Sequence, residues 1–407
     1  MIVKPFRGLR PSAALASRIP SLPYDVLDSD EARRLAAGDP YTFLHVVKSE
    51  IDLDPSIGPY DDRVYAKALE NFRAMRASGW LVRDASPSYY VYRQALGSHA
   101  QTGIVGTAAV ADYDAGRIKR HEHTRPEKEN DRTRHAATLG ANPGPIFLAH
   151  RGHDGLEAAS SRAAARTPAA DFVAADGVAH TLWVVDDPLE VAAIESAFRD
   201  LPATYIADGH HRAASYARVA RERGDASSSR LLAAHFPASQ LKILDYNRLV
   251  RDLNGLDVPA LLERIRAAGF DLVDPWPARK PEAAATFGLY VGGSWRLLKA
   301  TPGVVPQDDP VRRLDVSVLA EKILGPILGI GDPRTDRRIE FVGGIRGMDE
   351  LERRVRSGEF AAAFSMFPTR MDDVMAVADA GLVMPPKSTW FEPKLRSGMV
   401  VHVFDEE

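Results

Sequence analysis

Short apolar runs at helical spacing, each closed by a glycine, recur along this chain and alternate with short strand-like runs. Tyr65, Ala68, Leu69, Phe72 and Met75 fall on one helical face ahead of Gly79. Ser29 is placed to cap a helix over 30–37 ahead of Gly38, and 213–223 ends at Gly224. Later, 349–356 stops at Gly358, and 370–380, with Thr369 as its cap, stops at Gly381. Between them lie strand-like runs at 89–94 and 101–110, joined by Leu96-Gly97-Ser98-His99 as a hairpin. Further strands are expected at 181–186, 205–207, 339–342, 361–367 and 399–404, and helices at 190–201, 257–269 and 316–324. The stretch 157–175 reads equally as helix or as a surface excursion. Such alternation predicts an α/β or α+β protein.

A length of 407 residues implies two or three domains at roughly 150 residues each. Thr301-to-Pro310, with its three prolines and two aspartates, is the best linker. The expected division is therefore an N-terminal α/β segment (1–118), a phosphate-binding core (119–300) and a C-terminal α/β subdomain (301–407). Lys and Arg total 52 against 55 Asp and Glu, a net charge of −3, which argues against broad electrostatic binding to DNA. Without cysteine there is no disulfide, thiol nucleophile or sulfur-ligated metal, so any chemistry must use oxygen, nitrogen and phosphate-binding groups. The N-terminus has charge but no apolar run of signal-peptide length, and no stretch nears about 18 apolar residues, so a cytoplasmic protein is expected.

Three concentrations of polar residues carry chemistry. In the first, His121, Glu122 and His123 precede a helix opened by Pro126, with Thr124 and Glu127 at capping-box spacing. A carboxylate there can take a hydroxyl proton while Lys119, Arg120 and Arg125 hold a phosphate. A solvated loop in which Glu122 merely pairs an arginine is the plain alternative. In the second, the strand Tyr205-Ile206-Ala207 runs into Asp208-Gly209-His210-His211-Arg212, the form of a strand–turn–helix anion site. Gly209 suits a tight turn; the histidines and Arg212 suit phosphate oxygens; Asp208 suits magnesium or a histidine. Neither the Walker phosphate loop nor the dinucleotide turn is present. A transition-metal site would need His121, His123, His135, His210 and His211 to meet in space, and magnesium (Mg2+) carried by a nucleotide is the better reading. The third is the Pro-constrained loop 384–398, whose Lys387, Ser388, Thr389, Lys394 and Arg396 suit a carboxylate or phosphate of a substrate. Its alternative is a structural loop with Trp390 and Phe391 in the core.

These stretches, with 4–10, 23–26, 245–248, 332–338 and 341–347, resemble the bacterial domain-of-unknown-function family numbered 1015 over nearly the whole chain. Asp208-Gly209-His210-His211-Arg212, with His121-Glu122 upstream, is similar to the nucleotide-phosphate motif of free-serine kinases in the ParB/sulfiredoxin-like superfamily. That resemblance implies a ParB/sulfiredoxin-like core and a phosphotransferase linking L-serine, O-phospho-L-serine and ATP or ADP, in either direction. It makes Glu122 the base, Asp208 a magnesium or substrate partner, and His210, His211 and Arg212 phosphate ligands. His210 joins Glu122 and Asp208 in the catalytic set, and His121, His123, Arg125 and Gly209 join the phosphate- and nucleotide-binding set. Two alternatives stand beside this reading: a phosphoserine phosphatase without nucleotide, and a non-catalytic ParB-like nucleotide-binding regulator. The expected partners are small molecules rather than DNA or membrane, with monomer or homodimer left open.

Overall fold

The structure is a computed structural model, which describes residues 1–404. It is a mixed α+β protein in two compact units. Unit one comprises Met1–Leu241 and the segment from Pro393 onward; unit two is Lys242–Glu392.

Unit one is built on a nine-stranded sheet. Its strands are β1 (Val3–Lys4), β2 (Tyr89–Leu96), β3 (His99–Ala109), β4 (Ile118–Lys119), β5 (Ile146–His150), β6 (Ala170–Val173), β7 (Ala179–Val185), β8 (Thr204–Asp208) and β9 (Arg230–Pro237). They lie in the order β4-β8-β5-β9-β3-β2-β7-β6, with β1 alongside β3. The hairpin is as expected: β2 and β3 pair antiparallel, with Leu96 opposite His99 across Gly97-Ser98. Beside the sheet lie α3 (Pro126–Leu139), α4 (Asp154–Ala164), α5 (Pro188–Asp200) and α6 (His210–Arg223), while α1 (Ser29–Ala36) and α2 (Asp62–Ala77) pack in a second core with Phe43 and Leu81. The sheet residues Tyr89, Val91, Ile104, Leu148 and Leu231 join Leu156 of α4 and Ile194 and Phe198 of α5 in one buried core.

Unit two holds a six-stranded sheet, β11-β13-β12-β15-β10-β14. Its strands are β10 (Tyr246–Val250), β11 (Phe270–Val273), β12 (Thr286–Val291), β13 (Ser294–Ala300), β14 (Ile339–Gly343) and β15 (Ala362–Met366). Leu249, Tyr290, Trp295, Val342 and Leu351 form its core.

The unit boundaries fall at 241/242 and 392/393, not at 118/119 and 300/301, and the Pro-rich stretch 301–310 lies inside unit two. The reason is strand pairing: residues 104–109 of β3, before residue 118, pair with 230–235 of β9, after it, so no cut between them leaves a whole sheet. Local caps also differ from expectation. Asp28, not Ser29, caps α1, in a reciprocal box with Glu31. The Thr124/Glu127 box does not form, because Arg125 is the cap residue of α3 and Thr124 Oγ1 donates to Glu129. Thr369 donates to the Ser388 carbonyl rather than capping the helix Met371–Asp379. The ambiguous stretch after 157 resolves into α4 followed by β6, and the last strand shrinks to His402–Val403. Among the described residues no helix is long and apolar enough to cross a membrane.

Candidate functional site

Strand β8 passes into α6 through one residue. Gly209 holds φ +92, a left-handed conformation that side chains resist, and a Cβ there would lie 3.0 Å from Arg212 Nε. The tight junction sets Asp208, at the end of β8, beside the uncapped first turn of α6, since Gly209 offers no side-chain acceptor. Both carboxylate oxygens of Asp208 are engaged. The Gly209 N–H donates to Oδ1 at 2.8 Å and Lys394 Nζ to Oδ2 at 3.0 Å. Burial opposes the Asp208 charge, but Lys394 and Arg212 outweigh it and hold the carboxyl well below the usual range.

Arg212 is buried and only loosely paired. Its Nη2 lies 3.9 Å from Asp208 Oδ2 and 4.0 Å from Asp25 Oδ2, while Nη1 donates to the Pro145 carbonyl at 2.6 Å. Nε, although buried, has no partner. Burial works against this guanidinium, yet Asp25 and Asp208 prevail and raise its pKa.

The two histidines that open α6 reach back to the segment before α3. His210 Nε2 accepts the His121 N–H at 3.4 Å, and the two rings meet edge to face at 4.5 Å. His211 Nε2 accepts the Arg125 N–H at 3.0 Å. Burial lowers the pKa of both, and that of His210 falls well below the usual value. A neutral ring that accepts at Nε2 must carry its proton on Nδ1. The Nδ1–H of His210 therefore faces Glu122, whose Oε2 is 3.7 Å away and whose side chain is half-exposed. His121 is also neutral, pushed down to about 4 by burial, and its Nδ1 is buried without a partner.

The structure thus brings together Glu122, Asp208, Gly209, His210, His211, Arg212, His121, Lys394 and the backbone of Arg125. His123 is exposed in the loop before α3. His135 is spent on the Val46 carbonyl at 2.8 Å. Arg396 is bound instead to His180 and Asp176. Lys387, Ser388 and Thr389 belong to unit two, where Lys387 Nζ sits 5.5 Å over the Tyr246 ring and Ser388 Oγ donates to the Pro385 carbonyl. Asp25 was not singled out from the sequence, nor was the support beneath it. Arg132 lies 4.1 Å over the Tyr24 ring and bonds Asp131, which also accepts from Tyr65. The signal for it was Pro23-Tyr24-Asp25-Val26, which has no chemistry of its own until Arg212 arrives beside it.

The donor set fits a phosphate: an uncapped helix start, an unpartnered buried Arg Nε and a lysine. It does not fit a protein-held magnesium ion at Asp208, because that carboxylate already serves Lys394 and the Gly209 N–H. No three His, Asp or Glu side chains converge on a metal position among the described residues, so the five histidines do not form a metal site.

Fold and site together define an α+β protein in which a strand runs directly into the uncapped start of a helix. The chain belongs to the family described as protein of unknown function (DUF1015), whose model matches residues 3–317. No curated protein matches the sequence. Among solved structures it is similar to a conserved hypothetical protein from Pyrococcus furiosus, at 15% identity and a TM-score of 0.35 over 72% of this chain and 92% of that one. It is similar to a free serine kinase in complex with AMP, at 14% identity and a TM-score of 0.34 over 70% and 86%. A C-terminally truncated SbnI from Staphylococcus aureus is 12% identical, with a TM-score of 0.38 over 71% and 82%. All three likenesses are distant in sequence and in shape.

Proposed function

We propose that this protein is a phosphotransferase that interconverts free L-serine and O-phospho-L-serine with a nucleotide, ATP or ADP. The observation that carries the reading is one juxtaposition. The Glu122 carboxylate stands beside His210 at the start of α6, where the buried Arg212 Nε and the first-turn N–H groups await an anion. The motif likeness of Asp208–Arg212 to free-serine kinases points the same way. The nucleotide supplies the phosphoryl group. Arg212, Lys394 and the α6 N-terminus hold its phosphates, neutralising charge as the transfer proceeds. Glu122 accepts the serine hydroxyl proton as the oxygen bonds to phosphorus and the bond to the departing nucleotide oxygen breaks. His210, neutral and fixed by the His121 N–H, turns its Nδ1–H towards Glu122, whose Oε2 is 3.7 Å away. The reverse transfer uses the same groups with the proton returned.

The test is to incubate the protein with L-serine and ATP or ADP in magnesium buffer and follow products by phosphorus NMR. An O-phosphoserine resonance is expected, formed at least about 100-fold more slowly by Glu122→Gln, which still binds nucleotide. Absence of phosphoserine with either nucleotide sinks the reading. Full turnover by Glu122→Gln sinks the base assignment alone.

A further inference from the structure

A second polar site lies in unit one, in a cavity of about 150 Å³ between the sheet and α4. Phe147, near the start of β5, pairs with Asp208, whereas the cavity touches His150 at the other end of that strand. The two sites are thus three residues, about 10 Å, apart along β5. Arg93 of β2, Thr102 of β3 and His235 of β9 line the sheet side, and Glu157 and Ser160 line the α4 side.

His235 is 1% exposed, and neither of its ring nitrogens has a partner. Burial, with His150 and the N-terminal ammonium nearby, pushes it down to about 3, so it is a neutral ring with one donor and one acceptor unused. Such groups are rare in folded proteins unless something fills the space beside them. His150 donates from Nδ1 to the Arg151 carbonyl at 2.8 Å, which leaves its Nε2 an acceptor. Arg93 donates Nε to Thr102 at 3.0 Å and lies 5.4 Å over the Trp183 ring. The sheet side therefore offers the Arg93 guanidinium, and the solvent-exposed α4 rim offers the Glu157 carboxylate.

We propose that this cavity binds a small polar α-amino acid as its zwitterion, with the carboxylate on Arg93, the ammonium on Glu157 and the side chain against His235 and His150. A simple anion would leave Glu157 opposing it, and a simple cation would leave Arg93 opposing it. The size agrees, because an apolar cavity of about 150 Å³ holds a benzene-sized molecule. This site is independent of the phosphotransfer reading.

Calorimetric titration of the whole chain with glycine, L-alanine and L-serine, beside lactate and ethanolamine, tests it. At least one amino acid should bind saturably, and lactate and ethanolamine, each lacking one charge, at least tenfold more weakly. Arg93→Gln and Glu157→Gln should each weaken binding at least tenfold, and Ser160→Phe, which fills the space without touching a charge, should abolish it. Asp208→Asn should leave it unchanged. Failure of every amino acid to bind overturns the proposal, as does lactate binding equally well or full affinity in folded Arg93→Gln, Glu157→Gln or Ser160→Phe. Binding lost only in Asp208→Asn puts the amino acid in the other site, which overturns this proposal and leaves the phosphotransfer reading standing. Absence of phosphoserine with binding intact does the reverse.

Discussion

Unit one uses the same three residue types twice, to opposite ends. Arg396, His180 and Asp176 make a closed set. Arg396 donates from Nε to His180 Nε2 at 3.1 Å and from Nη2 to Asp176 at 2.5 Å, and His180 Nδ1 meets the Tyr92 hydroxyl at 2.7 Å. Arg212, His210 and Asp208 make an open one, in which the carboxylates stand 3.9 and 4.0 Å from the guanidinium and Nε is unused. Both arginines are about 95% buried. Burial and composition therefore do not separate a closed cluster from an open one; the count of satisfied donors does. A closed network stabilises the fold, while an open one keeps donors for something that arrives later.

The comparison breaks first on its two arginines. Arg396→Gln should cost about 2–4 kcal/mol of stability, because it strands His180 and removes a buried charge from its partners. The half-exposed Asp176 keeps the cost from going higher. Arg212→Gln should cost only about 1 kcal/mol and instead weaken ADP binding tenfold or more. Urea unfolding and calorimetry with ADP measure the two axes. Equal stability losses would show that the open cluster is structural too.

The next effect is a pH dependence that both regions share. Burial pushes His121 to about 4 and His180 to about 3, and burial does the same to His135 and His235, each to about 3. Unfolded histidine titrates near 6.5. The unfolded chain thus takes up protons that the folded one refuses, and stability, complete above pH 6.5, falls as the pH drops towards 3. The slope is roughly 1.4 kcal/mol per pH unit for each histidine that titrates fully. The two regions then part: protonating His180 destroys the lone pair that Arg396 uses, whereas protonating His121 at its unpartnered Nδ1 breaks no bond. Histidine NMR under acid titration should show His180 charging only with unfolding. A flat stability profile from pH 7 to 5 contradicts the neutral, buried assignment.

A third, smaller effect belongs to the junction itself. Gly209→Ala must hold an alanine at φ +92 and push the Arg212 guanidinium aside, at a cost of about 1–2 kcal/mol. ADP affinity should fall with it. Stability lost without any change in affinity would separate the turn from the proposed anion site.

How far the sequence could see follows the same line. The junction Asp208–Arg212 was legible because strand, glycine and helix are local patterns, and the helices closed by Gly79 and Gly224 appear within a few residues of their expected positions. The division into units was not legible, because it depends on β3 pairing with β9 across more than a hundred residues. In the loop 384–398, Lys394 and Arg396 look alike as a string, yet one reaches Asp208 and the other closes on His180. Chain spacing of two residues says nothing about which partner each side chain meets. Asp25 stood out only as part of the stretch 23–26, without a role, for the same reason: its partner Arg212 is far away in sequence.

Asp25 also yields the subtlest prediction, and its sign is informative. Its carboxylate is a third exposed and 4.0 Å from Arg212, so it contributes little stability, and Asp25→Asn should cost under about 1 kcal/mol. On the proposed reading, the pair is loose enough for Asp25 to compete with a nucleotide phosphate for the guanidinium. Removing its charge should leave Arg212 more available and tighten ADP binding about threefold, a change of under 1 kcal/mol. Asp208 behaves differently, because its oxygens hold Lys394 and the Gly209 N–H in place as well. Asp208→Asn should therefore weaken ADP binding although it too removes negative charge. If Asp25→Asn weakens ADP binding instead, Asp25 is orienting Arg212 rather than screening it, and the cluster is more closed than its distances imply.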